Sequence, residues 1–384
     1  MPTVAGPNTK GEENLVFGYD LGDVSNSYKG EPVANDFNFS LFTPSGYGGD
    51  GTLQPNALDP FGTTDNPVYR KTGKLRFGPT NGTDVGTLYY GKTYTFSIYL
   101  RFVQGESTWT GGEFDLYDRS DSRNFSGGLG DNMTYEWKRF SVTAYHNNNS
   151  NYHFVDIGHY QGTNVFEWCC PQIEENDHMT TFTPHGSPRS ATQGLLDLTG
   201  NSTIDLTNVS FDSNAQMTFD GTDDRISIPA GAIPTIGTSD FTMEFVCKNT
   251  KTSSYNHFFS VKDQYHFSFK ASNSSGILYA YRTSALSTTN TIEAYIPSRT
   301  SYYHIVLKRS GDSLEIFVNG VSQGTKSGWG NEAIENNLYT SYIGWGNASE
   351  YTGGEIPIAK LYNRALSASE IQSNFNAIRG RFNI

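Results

Sequence analysis

Cysteine is scarce: there are three in 384 residues, and two of them, Cys169 and Cys170, are adjacent. A disulfide framework is therefore excluded, and buried free thiols are the expected state. Long apolar runs are also missing. Nowhere do eighteen apolar residues follow one another, so no helix should span a membrane and membrane insertion is not expected. The opening stretch Met1–Asp20 has neither an apolar h-region nor a small-residue cleavage site, so a secretory signal is not expected. Positive charge is in deficit, with 27 Lys and Arg against 39 Asp and Glu and a net charge of −12. That balance argues against a nucleic-acid partner, which would need clustered cations. The HExxH motif of a zinc-dependent hydrolase is absent as well.

The chain is instead rich in rings and turns, with 25 Phe, 24 Tyr and 40 Gly. Aromatics alternating with polar residues, with glycine at the corners, describe β-structure. In Lys92–Phe102, the residues Tyr94, Phe96, Ile98, Leu100 and Phe102 share one face, while Thr93, Thr95, Ser97 and Arg101 face water. Phe241–Cys247 alternates in the same way, and Asn319-Gly320 supplies a two-residue hairpin turn. A helix is expected near the end: Ser367-Ala368-Ser369-Glu370 is a capping box, Ile371, Phe375 and Ile378 share a face, and Gly380 offers the stop. The expected fold is all-β: two β-sandwich (jelly-roll) domains in tandem after an extended N-terminal arm, with one short C-terminal helix. The arm covers 1–85 and merges into the first domain, 86–185; the second domain is 191–384, beyond the Pro- and Gly-bearing stretch at 183–190.

Several residues are candidates for chemistry. Trp109, Trp329 and Trp345 lie in loops flanked by Gly and Asn, where a ring could cover the apolar face of a sugar or of a receptor. Loop packing or a subunit contact is the plainer reading of Trp109 and Trp329, whereas Trp137 and Trp168 fall in strand patterns and read as core. Asp220, Asp223 and Asp224 crowd three carboxylates into one turn, which suits calcium, although Asp-Gly-Thr-Asp is also good turn chemistry without an ion. No cofactor is required by anything else. Glu113-Phe114-Asp115-Leu116-Tyr117-Asp118 imitates the paired carboxylates of a retaining glucanase, but alternation assigns the acids to water and gives no catalytic residue.

A resemblance enters with Met217–Asp224, Phe241–Cys247, Tyr303–Arg309, Leu314–Gly320 and the closing run Gly354–Ile371. In this order they resemble the laminin-G-like, concanavalin A-like lectin/glucanase jelly rolls over roughly 191–384. Pro357-Ile358-Ala359-Lys360 departs from the acidic residues that relatives usually carry there. Tyr94–Leu100, Trp137–Val142 and Trp168–Pro184 more weakly resemble carbohydrate-binding-module-like sandwiches. Leu15–Pro32 is similar to the start of virion proteins from large marine tailed phages. These resemblances imply a non-enzymatic virion structural protein made in the host cytoplasm, such as a tail fibre or appendage subunit. Its partners would be a host surface glycan or receptor, other virion proteins through the arm, and further copies of itself, a trimer among the options. The alternatives are a capsid decoration or collar protein and, on fold analogy, a polysaccharide-cleaving glycoside hydrolase.

Overall fold

The computed structural model describes residues 13–35, 51–77, 91–104, 113–118, 123–126, 133–145, 153–158, 164–253, 255–261, 267–272, 277–282, 290–296, 300–346 and 349–384. It is nearly all β and forms two compact units, with one helix among the described residues. No helix among them is long and apolar enough to cross a membrane.

One unit comprises 33–189 together with 213–215. Its described strands form two antiparallel sheets. The first runs Thr52–Leu53, Tyr69–Thr72, Val165–Glu174, Thr93–Gln104, Lys138–Tyr145, and the second Leu75–Phe77, His153–Gly158, Glu113–Asp118, Arg123–Ser126. The expected inward face of Thr93–Gln104 is the core, with Tyr94, Phe96, Ile98, Leu100 and Phe102 all at 2% exposure or less. Trp168 joins them, stacked on Tyr69 at 4.6 Å and edge-on to Phe77 at 5.1 Å. The other face departs from expectation. Thr95 and Ser97 are buried too, because the segment after Glu174 folds back over them and Thr95 Oγ1 donates to the Asn176 carbonyl at 2.9 Å. All three cysteines are buried and unbridged; Cys170 stands at φ +58° in the bulge of its strand, where the hydrogen bond to Cys169 and burial push its thiol pKa up.

The other unit comprises 1–32, 190–212 and 216–384. Its larger sheet runs Ser210–Phe211, Met217–Asp220, Gly353–Tyr362, Phe241–Asn249, Tyr303–Ser310, Ser313–Val318, Val321–Ser327. The smaller runs Ile226–Ile228, Ser341–Ile343, Asn256–Val261, Phe267–Ala271, Ile277–Arg282, Asn290–Tyr295. Their inner faces meet through rings, Phe241 edge-on to Phe267 at 6.5 Å and Phe245 against Phe269 at 6.1 Å.

The expectation of an extended arm over 1–85 is corrected in its described part. Leu15–Asp20 is a strand that pairs with Gly353–Tyr362, beside Met217–Asp220 on the same edge. Val16, Phe17 and Tyr19 are buried there, and the Asp20 carboxylate takes both Arg381 guanidinium nitrogens at 2.7 Å. Burial of three apolar side chains gives the segment its order. Thr52–Leu53, Tyr69–Thr72 and Leu75–Phe77 are likewise sheet strands.

The helix is Ala368–Phe382. Ser367 caps it, with both halves of the capping box made, and Ile371, Phe375, Ile378 and Phe382 are buried. It covers the outer face of the larger sheet, where Val246 and Ile358 pack on Ile378 and Phe382. The stop comes later than Gly380: the chain stays helical through it, and Asn383 at φ 55° forms the left-handed cap, its N–H donating to the Arg379 carbonyl.

Candidate functional site

The acidic turn follows the strand Met217–Asp220 and leads into Ile226–Ile228. Gly221 stands at φ +83°, which makes the corner tight. Asp220 Oδ1 accepts from the Thr222 N–H at 2.6 Å. Asp224 Oδ2 accepts from the Asp220 N–H at 2.6 Å and its Oδ1 from the Ser210 hydroxyl at 3.2 Å. Burial raises the Asp224 pKa, while those hydrogen bonds favour its ionised form. One oxygen of each of Asp220, Asp223 and Asp224 lies within 4.8 Å of the others, and Asp220 and Asp223 are exposed. The donor set is of the right kind for a hard cation, yet the turn closes on its own hydrogen bonds.

Beside this turn, the segment after Ser341–Ile343 doubles back. Trp345 bridges to Tyr351, the Gly346 N–H donates to the Glu350 carbonyl at 3.2 Å, and that of Thr352 to Gly344 at 2.7 Å. A Cβ on Gly344 would stand 2.4 Å from the Phe219 ring and 3.3 Å from the Asp224 carbonyl, so only glycine lets the hairpin lie this close to the acidic turn. Half-buried Trp345 packs edge-on against Tyr342 at 4.5 Å and lies 6.0 Å from Tyr351. The Arg225 guanidinium is 5.9 Å from its ring centre. Lys251 ties turn to hairpin, its ammonium donating to the Tyr351 carbonyl at 3.0 Å and to that of Gly221.

Under the hairpin lies a buried relay. His257 Nδ1 is 2.7 Å from the Ser268 hydroxyl and Nε2 is 2.8 Å from Glu350 Oε2. Burial pushes the His257 pKa down to about 4 against the pull of Glu350, so the ring is neutral at pH 7. Burial raises the Glu350 pKa, but its hydrogen bond from His257 and the nearby Lys270 ammonium outweigh this and lower it overall. A neutral ring between an ionised carboxylate and a hydroxyl donates through Nε2 and accepts at Nδ1. A Ser-His-acid relay resembles the machinery of a hydrolase. Here both Ser268 and His257 are at 0% exposure, and Gly346 is packed so tightly that a Cβ would stand 1.9 Å from the imidazole. No substrate atom reaches the hydroxyl, so the relay anchors the hairpin.

The structure thus brings together two features separate in sequence, Trp345 and the Asp220–Asp224 turn. Trp329 is a correction. Its ring is at 0% exposure, edge-on to Phe267 at 6.4 Å within the core. The flanking glycines, read as presenting the ring to solvent, let the chain turn inward: the Gly328 and Gly330 N–H groups donate to the Asp312 carboxylate at 2.9 and 2.8 Å. Trp109 lies outside the described residues, as do the side chains of the Glu113–Asp118 strand. Sequence reasoning missed Arg225, Lys251, His257, Lys270, Tyr279 and Glu350. Alternation in Phe267–Ala271 and Ile277–Arg282 could have found Ser268, Lys270 and Tyr279, which fall on one face.

Residues 220–372 match the family model of the concanavalin A-like lectin/glucanases superfamily, Laminin_G_3. No curated protein matches the chain. Among solved structures, the receptor binding domain of botulinum neurotoxin D is similar at 10% identity and TM-score 0.40; the match covers 49% of this chain and about half, 51%, of that one. The CBM40 of the Ruminococcus gnavus IT-sialidase, bound to alpha2,6 sialyllactose, is similar at 17% identity and TM-score 0.32 over 36% of this chain and 85% of that one. Domain 4 of AbnA, a GH43 extracellular arabinanase from Geobacillus stearothermophilus, in complex with arabinotriose, is similar at 14% identity and TM-score 0.35 over 45% and 81%.

Proposed function

We propose that this chain is a non-catalytic glycan-binding protein, and that the rim formed by Trp345, Tyr342, Tyr351, Arg225 and the Asp220–Asp224 turn makes the contact. The observation that carries this reading is a half-exposed tryptophan held rigidly beside carboxylates and a guanidinium. A ring of that kind takes the apolar face of a pyranose while the polar groups take its hydroxyls. The lectin-bearing family matched by 220–372 supports it. The buried relay favours binding over cleavage, because its hydroxyl is sealed under the hairpin. The three carboxylates of the turn are placed to hold a calcium ion, and chelation tests it: a fall in melting temperature or glycan retention would give the ion a role at the rim.

The wider setting we infer from the resemblance of Leu15–Pro32 is a tailed-phage virion, in a tail fibre or appendage. Antibody labelling of intact particles tests the position, and uniform head labelling would replace the fibre by a decoration protein. On an array of host envelope glycans, the full chain should be retained. Trp345→Ala should weaken retention at least tenfold, about 1.4 kcal/mol, with melting unchanged. Trp345→Ala binding as well as the parent, or a parent that retains no glycan, would overturn the rim as the site.

A further inference from the structure

We propose that the binding surface continues from the rim across the outer face of the six-stranded sheet, and that it takes a neutral oligosaccharide of several sugar units. This rests on the glycan-binding reading above and gives it a ligand class. The register places His257, Lys270, Tyr279 and Glu293 opposite one another on four successive strands. Their neighbours Phe269, Leu278, Ala280, Ile292 and Ala294 point into the core, so this row points out. Tyr279 is half-exposed and Glu293 exposed, and Tyr295, two residues further on, is 60% exposed. Tyr255 packs edge-on to Tyr279 at 6.3 Å, and the Lys270 ammonium sits 3.6 Å over the Tyr255 ring.

This face joins the rim through one residue. Glu350, on the hairpin that carries Trp345, binds His257 at 2.8 Å and lies 3.6 Å from the Lys270 ammonium. His257 is sealed under the hairpin, so the open part of the row runs from Lys270 to Glu293, two strand spacings or about 10 Å, still more than a single sugar ring covers. Its accessible part sets the rings of Tyr279 and Tyr295 beside the Glu293 carboxylate, a mixture that suits the apolar faces and hydroxyls of sugars rather than the continuous apolar surface a protein partner would bury.

Charge decides which sugars fit. The cations are already engaged: Lys251 by two carbonyls, Lys270 by Glu350 and the Tyr255 ring, and Arg225 by the Asp223 carbonyl and Trp345. Asp220, Asp223 and Glu293 are exposed acids on the same surface. Among the described side chains every cation on this surface is already engaged, so a uronate or other anionic sugar would meet like charge from the exposed acids.

The test is calorimetric titration of the full chain with neutral oligosaccharides, from disaccharide to hexasaccharide, and with uronic-acid chains of matched length. Neutral affinity should rise with length and exceed that for uronates. Tyr279→Ala should cost about tenfold for the longer neutral chains, with the shortest unaffected and melting unchanged. A length series untouched by Tyr279→Ala but weakened by Trp345→Ala would overturn the continuation and leave the rim standing. Tighter binding of uronates would overturn the neutral assignment. Binding of neither series would remove the glycan reading itself, and this inference with it.

Discussion

The two outer faces of the C-terminal sandwich each carry a fully buried histidine bound to a glutamate, and only one of the pairs is sealed. On the larger sheet, Glu244 accepts from His304 at 2.7 Å, from Asn374 of the helix at 3.0 Å and from the Tyr362 hydroxyl at 3.4 Å. Its side chain is 3% exposed. Burial raises its pKa, but those donors, led by His304, lower it below the usual range, so it stays ionised. On the smaller sheet, Glu350 makes the matching contact to His257 yet keeps a side-chain exposure of 29% and lies near Lys270. The same pair therefore fastens a helix on one face and leaves a usable carboxylate on the other. What differs is the cover: fifteen residues of capped helix against one glycine-tight hairpin.

The strand Leu15–Asp20 provides the largest expected effect. It lies on the edge of the larger sheet and clamps the covering helix through Asp20–Arg381. Deleting residues 1–20 removes three buried apolar side chains, Val16, Phe17 and Tyr19, about 6 kcal/mol, comparable to the whole stability of a domain. The truncated chain should show no cooperative unfolding of the C-terminal sandwich by circular dichroism. A normal melt would mean that the strand only decorates the edge. Next, Glu244→Ala strands His304 and Asn374 in the interior and should cost about 3–5 kcal/mol in urea unfolding. Glu350→Ala should cost about 1–2 kcal/mol, because solvent reaches its site. Equal costs would erase the distinction between the faces.

Acid should act through the hairpin. The unfolded chain protonates His257 near pH 6.5, the folded chain only near 4. Between those values the unfolded state binds more protons, so stability falls as pH falls. The contribution is complete above pH 6.5 and amounts to about 3 kcal/mol across the window. Glu350 and Glu244, with lowered pKa values, add their losses only below about pH 4.5. His257→Gln should flatten the slope of unfolding free energy between pH 6.5 and 4.5. A slope unchanged in that variant would assign acid sensitivity elsewhere.

Legibility in the sequence followed the range of the interactions. The inward face of Thr93–Gln104, the Phe241 strand and the capping box are governed by neighbours two to four residues apart, and period and cap chemistry revealed them. The pairing of Leu15–Asp20 with Gly353–Tyr362 joins segments more than three hundred residues apart, and nothing local encodes it. Trp329 misled because glycine-flanked tryptophan reads the same whether the turn points outward or inward. Asp312, which sets the direction, lies seventeen residues away. The rim was half visible. Trp345 and the acidic turn could each be named from sequence, but their meeting depends on Gly344 passing under Phe219, a tertiary contact.

The smallest expected effect tests whether the faces are independent. Ser367 Oγ accepts from the Glu370 N–H at 3.2 Å and the Ser367 N–H donates back to Glu370 at 2.7 Å, while Arg364 holds the same carboxylate from outside. These contacts, Arg364 first and the Ser367 N–H second, hold the Glu370 pKa down to about 2. Ser367→Ala removes one acceptor and should cost about 1 kcal/mol, seen as a slightly lower urea midpoint with an unchanged slope. The helix start lies over the larger sheet, packed with Val306, Phe317 and Tyr362 through Leu366 and Ile371, and none of these is among the contacts traced for the rim. Glycan affinity in Ser367→Ala should therefore equal that of the parent. A parallel loss of affinity would mean that the helix cover and the hairpin communicate through the sandwich core, making the two buried pairs ends of one cooperative unit.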